Sequence, residues 1–242
     1  MTKNKVLQKF LAETGHCSRR QAEELIKRGR VQVNGETAEP GQRVSEGDDV
    51  RVDEEVLVGP KEKIYIKLNK PAGYTCTNRK FSGEKNVFDL VPSKEKLFVV
   101  GRLDKDSRGL VLLTNDGDWA NQLSHPSFGC EKEYEVSFEF RILNFEYEIK
   151  KRLLTGVDIG DGDGVVKAKK VAQLNENKFK VVLDQGKKRQ IRRMFQALGV
   201  EVQDLKRVKI DDINLGSLKE GNWEPLKNKE GKNGELTDHN LR

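Results

Sequence analysis

Charged side chains crowd one short segment of the chain, directly before a run of apolar residues. The segment 102–108 holds three cations and two carboxylates, Asp104 and Asp106, and the apolar run 110–113 follows it. Such a run predicts a buried strand, and charges at the mouth of a buried strand cost free energy unless they are paired or used in chemistry. An ionised carboxylate can act as nucleophile or general base, and two nearby carboxylates also allow the acid–base pair of a hydrolase.

A second charged cluster, at residues 186–193, is purely basic. Five cations this close together cannot all be buried, and phosphate is their natural counterion. Ile191 and Met194, three residues apart, are predicted to anchor the start of a helix in the core. The five cations are Lys187, Lys188, Arg189, Arg192 and Arg193.

Four motifs, in order along residues 63–226, resemble those of the RsuA-like pseudouridine synthases, the RsuA/RluB type of ribosomal RNA enzyme. GRLDKDSRGLVLLTNDGD at 101–118 resembles the active-site motif of that family. KLNKPAGYTCT at 67–77, EKEYEV at 131–136 and QGKKRQIRRMFQALG at 185–199 resemble its other motifs. Four ordered matches are far more specific than the aspartate-containing string alone.

The resemblance implies a role for each matching residue. Asp104 corresponds to the catalytic aspartate, and Tyr134 to the tyrosine that stacks on the target uracil and takes part in removing the carbon-5 proton. Arg192 corresponds to the cation that pairs with the catalytic carboxylate and keeps it ionised. Arg102 is expected to support a flipped-out nucleotide, with a plain salt bridge to Asp104 or Asp106 as the alternative.

Further residues are assigned around this set. Lys188, Arg189 and Gln190 are expected to contact RNA. Asp106 is interpreted as a turn or capping residue, and Lys70 as an RNA contact beside the turn at Pro71 and Gly73.

The implied reaction needs no cofactor. It breaks the bond between uracil nitrogen 1 and the sugar, rotates the base and rejoins it through carbon 5, so only protons enter or leave. The three cysteines and three histidines are scattered and match no metal-ligand spacing, so neither a metal nor a disulfide is expected. The chemical step performed by Asp104 stays open at this point.

The N-terminal residues predict a separate RNA-binding module. Two short helices are expected over 5–14 and 18–29, with Ser18 and Gln21 capping the second helix, and a hairpin follows around Asn34-Gly35. The segment 18–35 resembles the small S-four-type RNA-binding domain. Its basic residues are predicted to contact RNA: Arg19, Arg20, Lys27, Arg28 and Arg30.

The rest of the chain predicts an α+β catalytic domain, a mixed and largely antiparallel sheet with flanking helices. The expected domains are 1–60 and 63–226, joined by a polar linker over 53–62 and followed by a disordered tail, 227–242. Expected strands are 64–68, 99–100, 110–114, 134–140, 165–174 and 179–183. Expected helices are 119–124, 145–153 and 190–197.

Composition agrees with an RNA partner. The net charge is +6 and the isoelectric point about 9.1, with a mean hydropathy of −0.72. No apolar stretch approaches the roughly 18 residues of a membrane span, and the N-terminus lacks a signal-peptide pattern. A cytoplasmic monomer is therefore expected.

Taken together, these features predict an isomerase that converts a specific uridine to pseudouridine in ribosomal RNA, free or in an assembly intermediate. Two other readings stay open. One is a catalytically silent RNA-binding or ribosome-assembly factor on the same scaffold. The other is a carboxylate-dyad hydrolase, which requires Asp104 and Asp106 to face one cleft.

Overall fold

The structure, a computed structural model, describes residues 4–59, 62–79, 81–139 and 146–226. The predicted tail 227–242 lies outside these residues. Contacts between Cα atoms divide the chain into two compact units, one ending at Ile64 and also taking in Asn115–Gly117, the other beginning at Tyr65. No helix among the described residues is long and apolar enough to cross a membrane.

The first unit combines two helices with short strands. The elements are β1 (Lys5–Val6), α1 (Leu7–Glu13), α2 (Arg19–Lys27), β2 (Val31–Val33), β3 (Glu36–Thr37), β4 (Arg43–Val44), β5 (Val50–Val52) and β6 (Glu55–Val56). Four of the strands form an antiparallel sheet in the order β3-β2-β5-β6. The helices α1 and α2 bury Leu7, Leu11, Ala22 and Ile26 in a core shared with the valines of β2 and β5.

Local sequence signals account for most of this unit. Ser18 and Gln21 form the predicted capping box at the start of α2, and Asn34 and Gly35, with φ of 54° and 86°, make the turn between β2 and β3. The linker predicted over 53–62 was wrong in part, because β6 lies within it and pairs with β5. The turn that joins them uses Asp53 and Glu54 at positive φ, and this pair carries no glycine to signal a hairpin.

The second unit is built on a nine-stranded mixed sheet. The elements are β7 (Tyr65–Lys70), β8 (Phe98–Val100), β9 (Arg108–Thr114), α3 (Gly117–Ser124), β10 (Lys132–Glu139), α4 (Glu146–Thr155), β11 (Val157–Asp158), β12 (Val165–Val166), β13 (Lys170–Asn175), β14 (Lys178–Leu183), α5 (Gln190–Ala197), β15 (Glu201–Ile210), β16 (Ile213–Asn214) and β17 (Trp223–Pro225).

The strand order in this sheet is β13-β14-β10-β15-β9-β7-β17, with β8 beside β9 and β16 beside β15. All pairings are antiparallel except that of β9 with β15. The α+β class is thereby confirmed.

Two strand predictions in this unit were wrong. The strand expected over 165–174 is two strands, β12 and β13, which belong to different sheets. The long strand β15 was not predicted at all. Its register against β10 shifts at two points, leaving Gln203 and Val208 unpaired with β10. The buried positions 202, 205, 207 and 210 are therefore unevenly spaced, and the alternation expected of a strand is hidden.

A glycine allows the parallel strands β9 and β15 to approach closely. Gly109 pairs with Arg207 and has φ +102°, and a Cβ atom there would lie 2.3 Å from the Arg207 carbonyl oxygen and 2.8 Å from its nitrogen. Both neighbouring atoms are backbone, so neither can move aside without separating the strands. This contact places the segment that precedes β9 against the centre of the sheet.

We expect Gly109→Ala to cost more than about 4 kcal/mol of unfolding free energy, in the exceptional range for a single substitution. The matched control is Gly129→Ala, which also stands at positive φ (+61°) but has nothing within 4 Å of its added Cβ. That control should cost only about 1–2 kcal/mol, the penalty of a left-handed backbone. Denaturant unfolding of the two variants measures the difference, and equal costs would contradict the close approach of β9 and β15.

Candidate active site

The loop that carries Asp104 is held from beneath by a buried lysine. Lys70, the last residue of β7, is 0% exposed. Its Nζ donates to the carbonyl oxygens of Pro71 (3.0 Å), Lys105 (3.2 Å) and Ser107, and burial lowers the pKa of this amine. The prediction that Lys70 contacts RNA was wrong, because solvent does not reach it.

Other donors bind the remaining carbonyls of the same loop. The buried Arg207 donates from Nε to the Leu110 oxygen (2.8 Å) and from Nη2 to the Gly101 oxygen. Arg192 Nη2 donates to the Asp106 oxygen (3.1 Å), and the Gly73 amide donates to the Lys105 oxygen (2.7 Å). The backbone of 101–110 is thus fixed at both ends and in the middle, while its side chains remain available.

The carboxylate of Asp104 lines a cleft and is weakly contacted. Its side chain is 35% exposed, and its nearest cation is Arg189, whose Nη1 lies 3.9 Å from Oδ2. Within the described residues, no hydrogen bond reaches its carboxylate oxygens. Asp104 therefore presents to the cleft a carboxyl group with one long contact to a cation, on a loop whose backbone is held by hydrogen bonds.

Asp106, in contrast, pairs with two of the three arginines of the basic cluster, Arg189 and Arg192. Arg189 donates to its two oxygens at 3.0 Å each, and Arg192 Nε lies 3.2 Å from Oδ2, without hydrogen-bond geometry. Burial would raise the pKa of Asp106, but the hydrogen bonds from Arg189 and the charges of both arginines outweigh it, so the pKa lies below its usual range. Asp106 is an ion-pair partner and not merely a turn residue.

The expected pairing of Arg192 with Asp104 was wrong. Arg192 is anchored by hydrogen bonds from Nη1 to the backbone carbonyl oxygen of Val202 (2.9 Å) and from Nη2 to the backbone carbonyl oxygen of Asp106. These bonds direct its guanidinium to Asp106, and Arg189 is the arginine that comes nearest to Asp104.

Tyr134 lines the same cleft from the sheet. It pairs with Arg207 of β15 and Val181 of β14 and is 9% exposed. Lys132, two residues earlier and on the same face of β10, is also buried and lines the cleft; its Nζ donates to the Cys130 oxygen (3.2 Å), and burial lowers its pKa. Sequence reasoning missed Lys132, although its period-two spacing from Tyr134 was a usable signal.

Most of the basic cluster is neutralised by the protein itself. Lys187 lies 3.4 Å from Asp163, and Arg193 Nη1 donates to the same carboxylate at 2.7 Å. Gln190 is 3% exposed, and its Oε1 accepts from the Lys187 amide (2.9 Å). It therefore holds the turn before α5 and lines the cleft as a nearly buried side chain, and its contact with RNA stays a prediction.

Two exposed cations at the cleft form no ion pair within the part of the chain that the structure describes. They are Arg102 and Lys188, and both line the cleft. The alternative of a salt bridge from Arg102 to Asp104 or Asp106 is therefore not what the structure has.

The five predicted RNA contacts of the first unit divide in the same way. Lys27 pairs with Glu23 (3.2 Å), Arg28 with Glu24 (3.8 Å), and Arg30 with Asp53. All three of these cations are exposed. Two further exposed cations at the start of α2 form no ion pair with described residues: Arg19 and Arg20.

The cleft therefore combines a free carboxylate, a tyrosine ring and unpaired cations, which suits acid–base or nucleophilic chemistry on a polyanionic substrate. The hydrolase reading requires Asp104 and Asp106 to face one cleft, whereas Asp106 is bound by Arg189 and Arg192 and is not among the residues that line the cleft of Asp104.

Comparisons with known proteins agree with this chemistry. The family described as RNA pseudouridylate synthase matches residues 64–197, and the S4 domain matches residues 7–50. A dual-specificity RNA pseudouridine synthase, RluF of Escherichia coli strain K12, is 39% identical over 225 residues, which cover 91% of this chain and 74% of RluF. An RNA pseudouridine synthase of Borreliella burgdorferi is 38% identical over 220 residues, covering 88% of this chain and 86% of that protein.

A solved structure extends the likeness to the fold. A pseudouridylate synthase crystal structure superposes with a TM-score of 0.65 at 33% identity, covering 92% of this chain and 96% of the other. On these matches the chain belongs to the RNA pseudouridine synthase family, with an S4 RNA-binding domain at its N-terminus.

Proposed function

We propose that this protein isomerises a specific uridine of ribosomal RNA and that Asp104 is its essential carboxylate. The observation that carries the proposal is the free carboxylate of Asp104 on a loop whose backbone is fixed, in a cleft shared with Tyr134. Ribosomal RNA is favoured because the RsuA-like enzymes that this chain resembles pair the same two modules. We further infer domains at 1–60 and 63–226 and a cytoplasmic monomer.

The chemistry follows from the positions of these groups. The ionised carboxylate acts on the ribose, as nucleophile or as base, while the bond from carbon 1′ to nitrogen 1 breaks and its electron pair leaves with the uracil. The base rotates and carbon 5 bonds to carbon 1′, and the carboxylate is released, by displacement if it acted as nucleophile or by returning its proton to the sugar if it acted as base. The carbon-5 proton then leaves and nitrogen 1 takes up a proton, so the product is an isomer of the substrate. Tyr134 stacks on the base and assists removal of the carbon-5 proton.

RNA is held first by the cations that the fold leaves unpaired. Arg102 supports the flipped-out nucleotide, since a side chain filling the vacated space lowers the cost of extrusion, and Lys188 binds phosphate beside it. Arg189 is paired with Asp106 but is exposed, so phosphate can compete for it. Lys27, Arg28 and Arg30 have acidic neighbours yet remain exposed, so phosphate can compete for them. In the S4 domain, Arg19 and Arg20 bind RNA phosphate, since both are exposed and neither forms an ion pair with a described residue.

Asp104→Asn tests the proposal. The variant keeps the side-chain size and removes the charge, so pseudouridine formation should be abolished while RNA affinity stays nearly unchanged. The measurement is pseudouridine mapping on unmodified ribosomal RNA, with Asp212→Asn, an exposed turn residue outside the cleft, as control. Activity within about tenfold of wild type, a loss of only about 1.4 kcal/mol of transition-state stabilisation, would remove Asp104 from the chemistry. If the wild-type protein adds no pseudouridine to the unmodified ribosomal RNA, the result favours a catalytically silent assembly factor.

Tyr134→Phe separates stacking from proton transfer. Within the described residues the Tyr134 hydroxyl has no hydrogen-bond partner, so the change removes no hydrogen bond of the fold. RNA carrying 5-fluorouridine, which lacks the carbon-5 proton, should still react with the variant, whereas ordinary uridine should turn over very slowly. A gel shift measures reaction with the 5-fluorouridine RNA, and a pseudouridine assay measures turnover of the matched RNA with ordinary uridine. Normal turnover of uridine would show that the hydroxyl is dispensable, and loss of both reactions would place Tyr134 before glycosidic cleavage.

A further inference from the structure

An exposed phenylalanine lies at the rim of the cleft. Phe128 is 56% exposed, and Ser124 and Pro126, from the same short segment, line the cleft of Asp104. We propose that the ring of Phe128 stacks on a base of the RNA substrate, in a nucleotide that flanks the target uridine. This inference rests on the proposed function, because only a protein that acts on a uridine of RNA meets such a flanking base.

The segment 124–129 joins α3 to β10 and is held by its own hydrogen bonds. Pro126–Phe128 form a single 3-10 turn, which Gly129 ends at φ 61°. The side chain of His125 caps this turn, since its Nδ1 accepts from the Ser127 amide (3.2 Å) and lies 2.8 Å from the Ser127 hydroxyl oxygen. The phenylalanine ring therefore projects from an ordered backbone, so a base that stacks on it orders little more of the chain.

A second ring orients the first. The centroids of His125 and Phe128 lie 6.2 Å apart, and the two ring planes are at 77°, the edge-to-face arrangement that aromatic pairs favour. Whichever ring presents its edge, this contact leaves at least one face of the Phe128 ring open. Single apolar side chains on a surface need no explanation, but this one is oriented by a second ring and lies at the mouth of the cleft.

The charge of the segment indicates which part of RNA it can bind. Residues 124–129 include no lysine, arginine, aspartate or glutamate, so this part of the rim is poorly suited to binding phosphate. The cleft also has the exposed cations Arg102 and Lys188. Surfaces that bind single-stranded nucleic acid combine such cations, which hold the backbone, with aromatic rings on which bases stack.

The flanking nucleotide is the part of the substrate that needs a new stacking partner. When the target uridine is extruded, its neighbours lose the base on which they stacked, at a cost of a few kcal/mol. Under the proposed function Tyr134 stacks on the target uracil itself. A second exposed ring at the rim then offers a surface to a neighbouring base, and stacking accepts any base because every base has an aromatic face.

The first experiment measures the affinity of the full-length protein for an RNA fragment around the mapped target, at several salt concentrations. Phe128→Leu should weaken binding by about fivefold or more, the lower end of the effect of losing one base–aromatic stack. The slope of log affinity against log salt should not change, because no phosphate contact is lost. Phe128→Tyr keeps the ring and should bind as wild type does.

The matched control is Tyr147→Leu. Tyr147 lies on α4, is 77% exposed and does not line the cleft, so its loss should leave the affinity unchanged. The inference is overturned if Phe128→Leu binds RNA as tightly as wild type, if its salt slope becomes shallower, or if Phe128→Tyr binds as weakly as Phe128→Leu.

A double-mutant cycle between protein and RNA is the decisive arm. Each of the three nucleotides on either side of the target uridine is replaced in turn by an abasic residue. At one position the two losses should be non-additive, so that the missing base weakens the binding of wild type more than it weakens the binding of Phe128→Leu. If the losses are additive at every position, the ring stacks on no flanking base and the inference is overturned.

The proposed function fails separately. A wild-type protein that adds no pseudouridine to ribosomal RNA would remove the proposed function and this inference with it. A wild-type protein that modifies the RNA, together with a Phe128→Leu variant of normal affinity, would overturn the stacking role of Phe128 alone.

Discussion

Hydrogen bonds from cationic side chains to backbone carbonyls hold the loop 101–110, and the site depends on them. Lys70, Arg192 and Arg207 donate to backbone oxygens of this loop, and none of the three forms an ion pair with the carboxylate of Asp104. Burying a cation costs several kcal/mol unless good hydrogen bonds compensate, and these three supply such bonds. The loop is rigid because of its backbone, which leaves the side chain of Asp104 free for chemistry.

This support links the loop to the centre of the sheet. Arg207 lies on β15, between β10 and β9, and pairs with both Tyr134 and Gly109. The missing side chain at Gly109 lets β9 approach that strand, and the Arg207 guanidinium then reaches the Gly101 and Leu110 carbonyls. One strand therefore sets the position of the tyrosine, of the end of β9 and of the loop that carries the carboxylate.

The sequence predicted which residues line the cleft better than it predicted which of the charged residues pair with one another. Asp104, Tyr134 and Arg189 come from three distant motifs and line one cleft, as ordered motifs of one family imply. The pairing of Arg192 with Asp106 could not be predicted, because Asp104 and Asp106 are only two residues apart and the choice depends on where the Val202 carbonyl anchors the arginine.

Buried cations and irregular strands were the other failures, and both have physical causes. From sequence alone, Lys70 and Arg207 are expected at the surface, but both are buried. Their burial depends on backbone carbonyls of distant segments, which no local sequence pattern reveals. The strand that carries Arg207 was missed because the unpaired Gln203 and Val208 break its alternation. Local signals with a fixed geometry, such as the Ser18 capping box and the Asn34-Gly35 turn, were predicted correctly.

The distribution of ion pairs also changes how the positive charge of the chain is understood. Counting basic residues in 186–193 suggests five phosphate contacts, but carboxylates of the same unit already lie beside four of those residues. Only unpaired or exchangeable cations release counterions when RNA binds. Under the proposed function, RNA recognition at the cleft rests on Arg102 and Lys188 first and on the exposed Arg189 second. Lys187, Arg192 and Arg193 are paired within the protein and serve the fold. A basic motif can thus be essential to an RNA-modifying enzyme largely because it orders carboxylates and carbonyls inside the protein.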